Sequence, residues 1–301
     1  MSVRIVGAYL GVILLWSTTP LAIKWSGEGP GYLFGVAGRM TLGLFGVVLM
    51  LSLTRTLLRM NGRALWTYLA GAVHIYGSML MTYWASQHIP SGWISVVFGL
   101  TPLLTAPLAA FFLREQSLTL PRLLSYLIGL AGLALMFHSA LTFSREAALA
   151  IGAVLLASLF QAISSVWVKR IDARLPAFSL VCGSLLLAVP AYLLTWYFLD
   201  GRWPEHIPPR SLLSIAYLGV VATTFGFSLY FFVLKHLPAG RVALISLVTP
   251  VLSLYICLVA NHEVIHDSVL VGTALIVGAL LLHETRLPAR RRGNATVGDS
   301  V

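Results

Sequence analysis

"IPSGWISVVFGLTPLLTAPLAAFFLREQ", residues 89–116, and "LPAGRVALISLVTPVLSLYICLVANHEV", residues 237–264, are two versions of one segment. A single offset of 148 pairs Pro90 with Pro238, Gly92 with Gly240, Thr101-Pro102 with Thr249-Pro250, Glu115 with Glu263, and His88 with His236. A second stretch, "LLWSTTPLAIK" from Leu14, fits "LFQAISSVWVK" from Leu159 at an offset of 145 and matches Lys24 to Lys169. The chain reads as two weak copies of one unit.

Composition says what the unit is made of. Of 301 residues, 58% are hydrophobic and 10% charged, with a mean hydropathy of +0.88, far from the balance of a water-soluble domain. A bilayer core about 30 Å thick takes roughly 20 apolar residues per helix. The sequence predicts ten such spans: 4–24, 31–53, 66–85, 91–113, 122–139, 147–168, 177–199, 211–234, 239–260 and 267–284. The first could pass for a signal peptide, but no small-x-small cleavage site follows it and Lys24-Trp25 closes it as an interface anchor.

A net charge of +10 would suggest nucleic acid in a soluble protein; here the basic residues sort by side instead. With a cytoplasmic N-terminus, fifteen of the twenty fall on inner segments, from Arg4 to the Arg290-Arg291-Arg292 run, and four, Lys24, Arg145, Arg202 and Arg210, fall outside. Arg39 belongs to neither face. The expectation is an inner-membrane protein with both termini cytoplasmic.

Five helices per copy is an odd number, so the second copy must enter the bilayer from the opposite side, giving inverted repeats about an axis in the membrane plane. The expected fold is all-α, ten transmembrane helices as two inverted five-helix repeats at 4–139 and 147–284, followed by a basic cytoplasmic tail at 285–301. That arrangement suits a molecule that presents one site alternately to each face.

With these residues in view, the chain resembles the EamA-type ten-helix transporters of the drug/metabolite transporter superfamily, over about residues 7–284. The likeness rests on the Trp16 region with Lys24, on Arg39, and on the two stretches from a Thr-Pro pair to a glutamate. The family pattern has Gly-Glu there; this chain has Arg114-Glu115 and His262-Glu263. The resemblance implies transport of small organic solutes such as amino acids, with export the usual direction.

A proline inside a spanning helix leaves the carbonyl four residues back without its donor. Pro102 and Pro250 each fall twelfth in their predicted spans and free the carbonyls of Phe98 and Ser246 near the midplane; Pro20 frees that of Trp16. Such breaks point to a transporter's site, although prolines also kink helices for packing alone. The cavity or gate residues expected from this pattern are Trp16, Arg39, Tyr83, Gln161, Ser246 and Thr249, on a chamber lined by the first, fourth, sixth and ninth helices. Six tryptophans at span ends, Trp25, Trp66, Trp84, Trp93, Trp196 and Trp203, read as interfacial belt residues. Small-residue pairs such as Gly31/Gly35 and Gly129/Gly132 read as close helix contacts.

Arg39 lies about 12 Å below the outer edge of the second span, at a cost of at least about 2.5–3.5 kcal/mol on insertion scales. None of the ten acidic residues falls mid-span. Its partner is then a backbone carbonyl, in a structural clamp, or an anionic group on the solute. His74 is the intramembrane group able to change charge near neutral pH, or else a core histidine. Cys182 and Cys257 sit in apolar helices and read as free thiols.

"HEVIH", residues 262–266, matches the H-E-x-x-H zinc-protease pattern, two histidines a turn apart with a glutamate to activate water. A polytopic metalloprotease is therefore the rival reading, weakened because Glu263 already has its repeat mate Glu115 and the stretch falls at a short turn. No P-loop or nucleophile elbow occurs. The chain is expected to be a carrier and not an enzyme, with no cofactor, no metal and no nucleic acid; its partners are a small-molecule solute, the lipid bilayer and, as an allowed further one, copies of itself.

Overall fold

A computed structural model describes residues 3–113, 120–237, 239–262 and 267–284. They form ten helical spans and, among the described residues, no strand. These are α1 Val3–Gly27, α2 Tyr32–Leu53, α3 62–85, α4 Ser91–Leu113 and α5 Leu120–Phe143. The second copy supplies α6 Arg145–Ile171, α7 Ala177–Leu199, α8 Pro209–His236, α9 Ala239–Asn261 and α10 Asp267–Glu284. Seven of the ten are by themselves long and apolar enough to cross a bilayer. The tail 285–301, Glu115 and Glu263–His266 lie outside the described residues.

Local chemistry sets several boundaries. The Asn61 side chain accepts from the Ala64 N–H at 2.9 Å to start α3, and the Ser144 hydroxyl accepts from Ala147 at 3.0 Å to start α6, each satisfying a donor that the first helical turn leaves free. α8 opens on Pro209, whose missing N–H costs nothing there.

The packing repeats. α1 lies against α9 and α8 as α6 lies against α4 and α3; α2 packs on α8 as α7 packs on α3; α2 meets α7 and α5 meets α10 across the exchange. Small residues mark matching contacts. Gly38 of α2 faces Ile215 of α8, and at an offset of 145 Gly183 of α7 faces the Tyr68 ring of α3. Gly132 of α5 lies against the Gly272 backbone of α10, and Gly35 against the Ser26 backbone. Between helices in lipid, where no apolar surface is taken from water, such close approach is what packing can exploit.

Two departures from regular helix go beyond the sequence pattern. α3 is π-helical over Val73–Ser78 and α8 over Tyr217–Gly226, at equivalent places in the two copies. Each wide turn is supported by a hydroxyl, from a different source in each copy. Tyr192 of α7 reaches the carbonyls of Ile75 at 2.6 Å and Tyr76 at 3.0 Å, whereas in α8 Thr224 donates back to Gly219 at 3.1 Å.

The expected symmetric breaks are replaced by an asymmetric pair. α4 interrupts at Gly99-Leu100, and the Phe98 carbonyl that Pro102 strips of its partner accepts the Thr101 hydroxyl at 2.7 Å. α9 stays helical through Pro250. The two helices cross there, since Gly99 faces the Pro250 ring. The expected belt is corrected at Trp93, which is buried in the second core cluster while Trp66 and Trp203 are exposed; its neighbour Gly92 lies against Leu254 of α9, so this span start is covered by a helix.

A Cβ on Gly183 would run into the Tyr68 ring, and one on Gly152 would meet open space. Gly183→Val is expected to lower the thermal unfolding midpoint in detergent, an overpacking penalty of about 1–3 kcal/mol, with Gly152→Val near the parent; equal midpoints would contradict the packing.

Candidate functional site

Where the two copies face each other, a cavity opens in the middle of the bundle. α1 contributes Trp16, Thr19, Pro20 and Ile23, which share one face by helical spacing. α4 contributes Ile94, Ser95, Phe98 and Thr101 around its interruption, α6 contributes Gln161 and α9 Thr249. The four helices expected from the sequence all take part, and so do α2 through Arg39, α3 through His74, Met79 and Thr82, and α8 through Ala222 and Phe227.

The wall is apolar with polar points. Trp16 lies over Tyr230 with ring centroids 4.8 Å apart, and the Tyr230 hydroxyl is 3.0 Å from Ser165 Oγ. Thr19 and Thr82 donate their hydroxyls to backbone carbonyls of their own helices at 2.6 and 2.8 Å. Thr101 does the same at the break in α4.

Arg39 is the one formally charged side chain among the described lining residues, and it is only 2% exposed. Its Nε donates to Thr223 Oγ1 at 3.0 Å, inside the π-helical stretch of α8. Nη1 faces Met79 Sδ at 4.0 Å, and the guanidinium carbon lies 5.9 Å from the centre of the Tyr83 ring. Among the described residues no carboxylate pairs with it; the ion pair found there joins the exposed Arg174 and Asp172. The two partners expected are a carbonyl clamp or a solute anion. Among the described residues no carbonyl accepts from the Arg39 side chain; a hydroxyl, a thioether and a ring face meet it, and part of the guanidinium fork is left for another acceptor.

His74, in the π-helical stretch of α3, is 2% exposed and stands edge-on to Phe227 with centroids 5.5 Å apart. Neither ring nitrogen has a hydrogen-bond partner.

Of the residues singled out from sequence, Trp16, Arg39, Gln161 and Thr249, with Pro20 and His74, come together in this wall. Tyr83 is fully buried beside Arg39, and it, Pro102 and Pro250 are not among the residues that line the cavity, whereas Thr101 and Thr249 are. Ser246 belongs to α9, but its side chain lies outside the described residues. Met79, Phe98 and Phe227 were not expected; in sequence they carry no mark that separates a cavity wall from a core.

The zinc-protease pattern finds no helix to sit on at its start. His262 takes a left-handed φ of 51° just beyond the end of α9, whereas the pattern needs both histidines on one helical face.

Thr223→Val keeps the side-chain shape and removes the acceptor for Nε. The expected result is a loss of about 1.5–3 kcal/mol, the worth of a hydrogen bond to a charged group, read as a lower unfolding midpoint; an unchanged midpoint would show that Thr223 does not hold Arg39.

Comparison with known proteins agrees with this architecture. The sequence pattern of the EamA-like transporter family matches twice, over residues 4–138 and 148–284. An uncharacterized transporter of Bacillus subtilis is 24% identical over 96% of this chain and 99% of its own. A Salmonella typhimurium protein named "Probable amino-acid metabolite efflux pump" is 27% identical over 67% of this chain and 70% of its own. A Streptantibioticus cattleyicolor protein named "Probable terminal-alkyne amino-acid exporter" is 26% identical over 76% of each. One solved crystal structure superposes with a TM-score of 0.66 at 24% identity, covering 92% of this chain and 95% of that one, which supports the fold alone. The chain is a multi-pass membrane transporter of metabolites and belongs to the EamA-like transporter family.

Proposed function

We propose that this protein exports small carboxylated metabolites, amino acids first among them, across a bacterial cytoplasmic membrane by alternating access. The observation that carries the reading is Arg39: a buried guanidinium on a cavity wall, engaged through Nε and without a carboxylate among the described residues. A carboxylate on the solute would accept from its free N–H groups in two parallel bonds, the strong geometry for this pair. The names of two relatives support amino acids and outward movement. The other polar groups of the wall bind and orient, so the reading is a carrier and not an enzyme.

In this reading the units 4–139 and 147–284 rock about the cavity. Their present arrangement supports a gate on one side. The first half of α4 packs on α9 far more closely than its second half does, with Ser91 Oγ donating to Cys257 Sγ at 3.2 Å and Gly92 against Leu254. The distribution of basic residues supports cytoplasmic termini, and in this reading the closed end faces the outer side.

The test is transport by purified protein in liposomes, with a panel of labelled amino acids, organic acids, nucleobases and sugars, with and without a pH gradient. Carboxylated solutes are expected to cross, and Arg39→Gln to cut their rate at least tenfold. Trp16→Ala, which leaves Arg39 bonded to Thr223, is expected to weaken the same solutes. Transport restricted to solutes without a carboxylate, or an unimpaired Arg39→Gln protein, would overturn the proposal.

A further inference from the structure

His74 is a second feature of the wall that the carboxylate site leaves unused. It is almost wholly buried, it lines the cavity, and both its ring nitrogens lack partners. Among the described lining residues no other side chain has a buried nitrogen or oxygen in that condition. A buried polar group without a partner calls for an explanation, and here it belongs to the wall of the cavity in which the solute would sit.

We infer that His74 reads the amino group of the solute, so that Arg39 and His74 together form a head-group subsite for a zwitterionic amino acid whose apolar side chain lies among Trp16, Phe98 and Phe227. This rests on Arg39 as the carboxylate site. An uncharged imidazole offers one ring N–H donor and one nitrogen acceptor. The acceptor takes an N–H of the ammonium.

Spacing fits. His74 precedes Met79 by five residues, a backbone rise of about 7.5 Å or less along α3, and Met79 Sδ lies 4.0 Å from Arg39 Nη1, so the two polar groups line neighbouring parts of one wall. A carboxylate hydrogen-bonded to Arg39, with its neighbouring ammonium donating to His74, bridges such a gap with two bonds of about 2.9 Å. The edge-on Phe227 ring restrains the imidazole, and the π-helical stretch around residues 73–78 sets where it projects.

The charges then give selectivity in both directions. An amine without a carboxylate meets an uncompensated guanidinium and is repelled. A carboxylate without an amine satisfies Arg39 and leaves the imidazole acceptor unpaired, the kind of loss by which a site built for a hydrogen bond rejects an analogue lacking it.

Calorimetric binding of L-phenylalanine, 3-phenylpropanoate and phenethylamine to the purified protein tests this, using the parent, His74→Phe, His74→Gln and Arg39→Gln. The parent is expected to bind phenylalanine at least tenfold more tightly than 3-phenylpropanoate and to leave phenethylamine unbound. His74→Phe removes the gap by weakening phenylalanine alone, and its retained 3-phenylpropanoate binding shows that it is folded; His74→Gln, which keeps an acceptor, restores part of the gap. A gap that survives His74→Phe, with both carboxylates lost in Arg39→Gln, overturns the head-group assignment and leaves the carboxylate site standing. Failure of the parent to bind either carboxylate overturns both.

Discussion

A buried cation that lipid will not accept, and that no carboxylate among the described residues neutralises, governs the centre of this bundle. Arg39 can stay there only if other groups take its hydrogens, and the first of them is Thr223. That bond requires α2 and α8 to approach very closely. Gly43 and Gly46 of α2 make the approach feasible, because a Cβ at either would collide with Thr223 or Thr224. Gly219 returns the favour on α8, lying against the Arg39 carbonyl and Leu42. The glycines, the π-helical turn and the charge therefore form one connected arrangement, and the cavity is its open side.

The duplication supplies a symmetric scaffold carrying an asymmetric site. Matching helix pairs and matching π-helical stretches persist in both copies. The chemistry on them has diverged. At an offset of 145 Arg39 corresponds to Ser184, which packs against Gly71 instead of reaching a cavity; Tyr192, which supports the wide turn in α3, corresponds to Val47. In the proposed carrier, pseudo-symmetry would supply two related conformations, while divergence puts the charged side chain of the wall on one copy.

Much of this was legible in the residues. The spans follow from hydropathy because lipid leaves a helix no alternative way to satisfy its backbone, and the inverted pairing follows from the 148 offset and an odd helix count. Arg39 stood out because a guanidinium in an apolar run has no cheap explanation. The wide turns in α3 and α8 were not legible: "VHIYGS" and "YLGVVATTFG" look like ordinary spanning helix, and what supports the first turn is a hydroxyl 117 residues away in sequence. Phe98, Phe227 and Met79 escaped notice since apolar side chains look alike whether they face a neighbour or a cavity. The midplane prolines mark carbonyls that lose a backbone donor, but what becomes of such a carbonyl depends on local hydroxyls, and α4 and α9 part company there.

In the proposed cycle, two oppositely inserted units move against each other about this cavity. Distances between paired spin labels at the two ends of the α4–α9 contact test it most directly, with His88 and His262 replaced at one end and Phe112 and Lys235 at the other, in lipid with and without a transported solute. Solute is expected to shift the two distance distributions in opposite senses, one end opening as the other closes. Distributions that stay fixed, or that widen together, would contradict it.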